Sequence, residues 1–157
     1  MKRLPALLLA CIVLALGANL AASEPTYTWR YFRPGNTGIQ GDWNQAIWIG
    51  PDGDPWIGGY DPFFEEGGFS KFIQAENRWV NYSNVDYPVI GHPDDTGVVR
   101  VNDIIEDELG NLWFGTMRGA LRMSPTVGVS SLVRFGPGNS ALPGGNSRDL
   151  TRAPDGT

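Results

Sequence analysis

The stretch that decides the fold is DELGNLWFGTMRGALRM, residues Asp107 to Met123. It begins with a turn around Gly110, continues into an aromatic pair that opens at Trp113, and breaks again at Gly115. Glycine at the turn permits the positive φ that a tight hairpin requires, and a large aromatic side chain that opens the next strand can pack between neighbouring sheets. A glycine after the aromatic pair suits a close approach of two backbones. The stretch therefore predicts a hairpin between two short, buried strands.

The same pattern recurs along the chain. Phe32–Gly53 and Phe135–Gly156 align without a gap at an offset of 103 residues, with eight of 22 positions identical. Gly50–Gly59 matches Asp107–Thr116 at an offset of 57 residues. Repeats of about 40–50 residues with four strands each are typical of β-propeller blades. The residues that carry the repeated motif are Gly53, Trp56, Gly58, Gly110, Trp113, Gly115 and the turn glycine Gly156.

Short apolar and aromatic runs between glycine- and proline-containing turns predict an all-β fold with about two four-stranded blades and the start of a third. No apolar period of 3.6 residues indicates a helix after the N-terminal segment. The predicted strands are Ala46–Ile49, Trp56–Gly58, Phe69–Ile73, Arg78–Tyr82, Val98–Glu106, Leu112–Thr116, Ala120–Met123 and Leu132–Phe135.

The N-terminal 23 residues have the three-part layout of a secretory signal peptide. Lys2 and Arg3 are followed by the apolar run Leu4–Leu20 and by the small residues Ala21–Ser23. We expect residues 1–23 to be removed and residues 24–157 to form the repeat domain, outside the cytoplasm in the periplasm or secreted. An uncleaved anchor and a lipid anchor at Cys11 are the alternatives; the apolar run is short for a membrane span and continues well past Cys11.

Composition after that segment excludes several classes of partner. Loss of Lys2 and Arg3 leaves ten basic residues against 17 acidic ones, a net charge of −7, and no basic cluster remains. Nucleic acid and anionic membrane surfaces are therefore disfavoured as partners. Cys11 is the only cysteine, so the exported part has no internal disulfide.

The sequence VNDIIEDELGNLWFGTMRGALRM, Val101 to Met123, resembles the two-component regulator propeller repeat. That repeat typically reads Val-x-x-Ile-x-x-Asp-x-x-Gly-x-Leu-Trp-Phe/Ile-Gly-Thr-x-x-Gly-Leu, and Asn139–Pro143 resembles the segment before its first strand. The first copy departs from the pattern at Gly50, Pro55 and Gly59 and carries an insertion. The resemblance covers residues 29–157.

The resemblance implies an extracytoplasmic sensor domain, often joined to a membrane helix and a histidine kinase. Propellers close with about 4–8 blades. We therefore expect the chain to be the N-terminal part of a longer protein whose remaining blades are its nearest partners. A ring of short chains is the alternative.

The residues that could carry chemistry are few. His92 is the only histidine, and Asp94 and Asp95 follow it in a connecting loop. The acidic residues before and within the Gly110 turn lack the alternating pattern and glycine of a calcium loop, so we interpret them as a solvated rim. No nucleophile elbow, phosphate loop or zinc-binding helix motif occurs, and we expect no cofactor, no metal and no catalytic residue. These acidic residues are Asp103, Glu106, Asp107 and Glu108.

The insertion Gly59–Gly68 is the most unusual segment, and we expect it to form a loop. Its aromatic residues lie beside carboxylates, a combination that suits a glycan or a peptide. An edge loop that packs its own aromatic residues is the alternative interpretation. The candidate ligand-contact residues are Tyr60, Phe63, Phe64 and, before the first strand, Trp43.

These observations favour a non-enzymatic, exported module for ligand sensing or interaction. One alternative is a secreted propeller lyase, because IGPDGDPWIGG at Ile49–Gly59 resembles the repeats of streptogramin lyases locally. Such an enzyme needs a catalytic histidine and a metal inside the propeller. The other alternative is a structural cell-surface repeat protein.

Overall fold

The structure is a computed structural model, and it describes residues 28–32, 38–62, 66–91 and 99–154. The predicted signal peptide lies outside these ranges, as do Phe63, Phe64, His92 and Gly156. The chain divides into two units, Met1–Tyr31 and Phe32–Thr157, and every strand described below belongs to the second unit.

The described part of the second unit is all-β and contains two four-stranded antiparallel sheets. Strands in each sheet follow one another in chain order, as expected for consecutive hairpins. The architecture is that of two blades of an incomplete propeller. Sheet 1 contains β1 (Trp43–Ile49), β2 (Pro55–Asp61), β3 (Glu66–Ile73) and β4 (Arg78–Ser83); sheet 2 contains β5 (Val101–Glu106), β6 (Leu112–Thr116), β7 (Gly119–Met123) and β8 (Val133–Phe135).

Two short 3₁₀ helices, Gln74–Glu76 and Gly128–Ser131, precede the last strand of each sheet. Each predicted strand coincides with an observed one to within three residues at each end. The strand predicted at Val98–Glu106 is the most shortened, because Val99 and Arg100 precede β5 rather than belonging to it.

The turn glycines have the conformation that the repeated motif predicts. Gly53 lies between β1 and β2 with φ +83°, and Gly110 lies between β5 and β6 with φ +77°. Side chains disfavour this left-handed region, whereas glycine enters it without strain. The next glycines of the motif make the close contacts that were expected. A Cβ on Gly58 would collide with Val101, and one on Gly115 would lie 3.1 Å from the carbonyl oxygen of Ser147.

An aromatic core joins the two sheets. Trp56 and Phe69 of sheet 1 face Phe114 of sheet 2, with ring centroids 6.4 Å and 4.0 Å from that of Phe114. Tyr82 stacks on Trp56 and Phe69 from the last strand of sheet 1. Each such aromatic pair contributes about 0.5–1.5 kcal/mol beyond its buried area. Trp56 is only 3% exposed, which confirms that it packs between neighbouring sheets.

Trp113 differs from this expectation. Successive side chains of a strand point to opposite faces, and Phe114 faces sheet 1. Trp113 therefore lies on the other face of sheet 2, where it stacks on Phe135 at 5.1 Å between ring centroids. Within the described residues it does not pack between two complete sheets.

The predicted loop at Gly59–Gly68 is wrong over most of its length. β2 continues to Asp61 and β3 begins at Glu66, and Tyr60 pairs with Gly67 inside the ladder. The insertion thus lengthens a hairpin: β2 and β3 have seven and eight residues, whereas β6 and β7 have five each. The glycines and the aspartate that suggested a loop are tolerated here because the two strands pair along their whole length.

Candidate ligand-binding site

Trp43 and Tyr60 form an exposed aromatic pair at one end of sheet 1. They are cross-strand partners, Trp43 at the start of β1 and Tyr60 near the end of β2. Their ring centroids are 5.6 Å apart with an interplanar angle of 67°, an edge-to-face contact. Trp43 is 53% exposed, so the contact leaves much of its indole free for a ligand. Of the four predicted ligand-contact residues, these two lie together, and the structure does not describe the other two.

Arg100 joins this pair from the residue that precedes β5. Its guanidinium carbon lies 5.7 Å from the centre of the Tyr60 ring, within the range of a cation–π interaction. Its Nε donates a hydrogen bond to Asn102 Oδ1 at 2.9 Å. Its two terminal nitrogens make no hydrogen bond or ion pair with another described residue. The guanidinium is thus oriented by two contacts and keeps its outer donors available.

A third segment reaches the same end through side-chain amides. Asn102 Nδ2 donates to the carbonyl oxygen of Ser147 at 2.8 Å and to Asn146 Oδ1 at 3.3 Å. Asn146 is exposed and precedes the segment that lies along sheet 2. Amide groups here add donors and acceptors next to Arg100.

The residues at this end occupy equivalent positions of the repeat. Arg100 follows Trp43 by 57 residues, the offset between the first two copies, and Asn146 follows Arg100 by 46, the offset between the second and third. The bulge in the first strand repeats as well: the register shifts between Asn44 and Ala46 in β1 and between Val101 and Asp103 in β5. Consecutive repeats therefore direct one variable residue each toward the same end of the sheets.

Sequence reasoning missed Arg100 and Asn102. Arg100 belongs to no motif, and it stood within a predicted strand of ordinary composition. The signal that identifies it is positional: it is the residue that the repeat places where Trp43 stands. A search for chemically reactive residues does not find such a position, whereas an alignment of the repeats does.

The acidic residues of the β5–β6 hairpin hold the fold together rather than forming one site. Asp103 Oδ2 accepts a hydrogen bond from the amide of Leu150 at 2.8 Å. Asp107 accepts hydrogen bonds from the amides of Leu109 and Asn111 and from Trp113 Nε1, the last at 2.8 Å. Burial alone would raise the pKa of Asp107, but these hydrogen bonds outweigh it and lower the pKa below its ordinary value.

The equivalent turn of sheet 1 uses an ion pair. Lys71 Nζ lies 2.7 Å from Asp52 Oδ2 and 3.2 Å from Asp54 Oδ2. The hydrogen bond from Lys71 lowers the pKa of Asp52. Within the ranges that the structure describes, no three histidine, cysteine, aspartate or glutamate residues are grouped to hold a metal ion.

Comparison with known proteins gives one relationship, at the level of structure. No family model and no curated protein matches the chain. The chain is similar to a crystal structure of the extracellular domain of a protein assigned to the hybrid two-component systems of B. thetaiotaomicron, with a TM-score of 0.63 and 16% sequence identity. The similarity concerns the fold. It covers 84% of this chain and 16% of that one, so the chain spans about a sixth of its structural relative.

The elements of the described segments include no helix of the length and apolar character that crossing a bilayer demands.

Proposed function

We propose that the chain is a non-enzymatic, extracytoplasmic module for ligand sensing or interaction, and that its ligand binds at the end formed by Trp43, Tyr60 and Arg100. The observation that carries the proposal is the convergence of equivalent repeat positions on one end of the two sheets. A repeat fold that keeps its core constant and varies one exposed position in each copy presents a composite surface.

The structural relative supports the sensing part of the proposal. That protein is described as the extracellular domain of a hybrid two-component system. An extracellular location agrees with the signal-peptide pattern of residues 1–23. We infer a similar placement for this chain, as the ligand-receiving part of a signalling protein.

The chemistry of the site favours a glycan or a peptide. The exposed indole of Trp43 offers an apolar face for a sugar ring or an apolar side chain. The outer nitrogens of Arg100 match hydroxyl, carbonyl or carboxylate oxygens, and its planar group can donate two parallel hydrogen bonds. Asn102 and Asn146 add amides that bind hydroxyl groups in either direction.

Binding measured on the purified chain tests the proposal. The probes are a panel of defined oligosaccharides and short synthetic peptides, used in calorimetry or surface-based binding. We expect at least one probe to bind, and Trp43→Ala to weaken it about tenfold or more, because truncation of a central aromatic contact typically costs about 2 kcal/mol. Leu109→Ala is the control, because Leu109 is 87% exposed in the turn at the other end of sheet 2.

Three results would count against the proposal. Binding that is equally strong in the Trp43→Ala variant would place the ligand elsewhere. Cleavage or elimination of a probe on incubation with the chain would favour the lyase alternative. Absence of binding across the whole panel would favour a structural surface protein.

A further inference from the structure

The two sheets are copies of one another down to individual contacts. Trp56 pairs with Lys71 in sheet 1 as Trp113 pairs with Arg122 in sheet 2. Each cation lies over its tryptophan ring, at 5.6 Å in sheet 1 and 5.7 Å in sheet 2. Each tryptophan also stacks on an aromatic residue of its last strand, Trp56 on Tyr82 and Trp113 on Phe135. The Trp113 face of sheet 2 is therefore the counterpart of the Trp56 face of sheet 1.

On sheet 1 this face is covered by sheet 2. β5 lies against Gly58, where Val101 leaves no room for a Cβ. Phe114, from the strand next to β5, then covers Trp56 and Phe69. Trp56 and Phe69 are left 3% and 0% exposed. The cover thus consists of a first strand that touches the glycine and further strands that bring the large apolar side chains.

On sheet 2 only the first part of such a cover is present among the described residues. Ser147 and Leu150 are the neighbours of Gly115, at 3.1 Å and 3.3 Å from the position of a Cβ. The amide of Ser147 donates to the carbonyl oxygen of Thr116 at 2.8 Å. The offset of 46 residues makes Ser147 the counterpart of Val101 and Leu150 the counterpart of Ile104. Residues 147–152 thus occupy, on sheet 2, the place that β5 occupies on sheet 1.

Next to this segment lies an open groove of about 280 Å³, lined mainly by Ile105, Trp113, Leu150 and the chain up to Arg152. We name it the Trp113 groove. On sheet 1 the corresponding space is filled by Phe114 and its neighbours. The groove is therefore continuous with an interface that the chain already makes once.

We propose that the Trp113 groove is a docking surface for three further antiparallel strands like β6–β8. These strands would pair with residues 147–152 and place an apolar pair like Leu112 and Phe114 over Trp113. The occupant is another propeller sheet rather than a small ligand, because the groove repeats the face that such a sheet covers on sheet 1. This inference does not depend on the ligand site at Trp43 and Tyr60.

The repeat itself supplies the test. Gly156 is the counterpart of Gly110, so a second copy of Asn111–Phe135 placed directly after Gly156 continues the chain in register. We expect this extension to raise Tm by about 4 °C or more, the shift that roughly 1 kcal/mol produces in a domain of this size. Hydrogen exchange of the amides in residues 147–152 should slow about tenfold or more as they gain partners.

Two matched variants show whether the gain comes from the groove. The same extension with Phe114→Asp in the added copy should give no gain in Tm. Ile105→Asp in the original sheet should cancel the gain in the extended chain and have a smaller effect in the unextended chain. Should the extended chain fail to fold, Asn111–Phe135 added as a separate peptide should bind the full chain, and the Phe114→Asp peptide should not.

The proposal is overturned if the extension leaves Tm and exchange unchanged, or if its Phe114→Asp form stabilises the chain equally. It is equally overturned if the extended chain does not fold and the separate peptide shows no binding that depends on Phe114.

Discussion

The rings of Phe69 and Phe114 stack at 4.0 Å between centroids and 18° between planes, and both side chains are fully buried. One residue comes from β3 and the other from β6, so this pair joins sheet 1 to sheet 2 directly. The contact explains why two sheets that share no strand form one core. Its loss should affect both sheets together.

We expect Phe114→Ala to lower the free energy of unfolding by about 3–5 kcal/mol, the usual cost of truncating a buried phenylalanine. Unfolding in urea followed by tryptophan fluorescence measures it. Leu109→Ala, at an exposed turn position, should change the free energy by less than about 0.5 kcal/mol. A loss below about 1 kcal/mol for Phe114→Ala would mean that the sheets are held mainly by other contacts.

Gly58 tests the close approach of β2 and β5. A Cβ at this position would collide with the side chain of Val101, whereas one on Gly138 would meet no atom within 4 Å. We expect Gly58→Ala to destabilise the fold by about 1–3 kcal/mol through overpacking, and Gly138→Ala to have little effect. Val101→Ala should restore part of the loss in the double variant. Additive effects of the two substitutions would show that the strain arises elsewhere.

Asp107 makes a pH-dependent contribution to stability. The pKa of its carboxyl group in the folded chain lies below the ordinary value of 3.8, through hydrogen bonds from Asn111 and Trp113 that exceed the effect of burial. A lowered pKa means that the ionised group stabilises the fold above the ordinary value and that this contribution disappears as the pH falls through the folded-state pKa. Asp107→Asn should therefore destabilise the chain at neutral pH and much less in acid, below the ordinary carboxyl pKa.

Denaturant titrations of the original chain and of Asp107→Asn, each at several pH values, measure that difference. Glu108→Gln is the control, because Glu108 is exposed in the same turn. A difference between the original chain and Asp107→Asn that stays constant from neutral to acid pH would show that the amide is disfavoured for its shape and not for its lost charge.

Arg100 should determine how strongly the ligand site binds the oxygen atoms of its ligand. We expect Arg100→Gln to weaken binding of a probe found with the original chain about tenfold, because hydrogen bonds to charged groups contribute about 1.5–3 kcal/mol. Calorimetry with the same probe measures the change. Arg78→Gln is the matched control, since Arg78 is exposed and pairs with Glu76 beside the 3₁₀ helix of sheet 1. Equal losses in both variants would point to a general effect of charge.

The sequence was sufficient to predict the strands, because glycine turns and aromatic strand openings are local signals. β6 was predicted with the observed bounds, Leu112–Thr116. The environment of Trp113 was not predictable in the same way. Alternation along a strand shows that Trp113 and Phe114 face opposite ways, but not which of them meets the neighbouring sheet.

The candidate site was predictable only in part, for two reasons. Tyr60 was expected in a loop, and it lies in β2 because pairing with Gly67 extends the hairpin through residues that usually interrupt strands. Arg100 had no local signal at all. Its place beside Tyr60 follows from the packing of β5 on sheet 1, which brings together residues 40 positions apart in the chain.

The bulges at Gln45 and Asn102, each the unpaired residue between two ladder positions, lie at equivalent places two residues after Trp43 and Arg100. A bulge is a property of the backbone, and it aims the residues before it whatever their side chains are. Trp43 and Arg100 are therefore free to differ, and do differ, without disturbing the buried aromatic residues behind them. Mutation can thus alter what the chain recognises one repeat at a time, so ligand preference and foldability evolve along separate positions of the same unit.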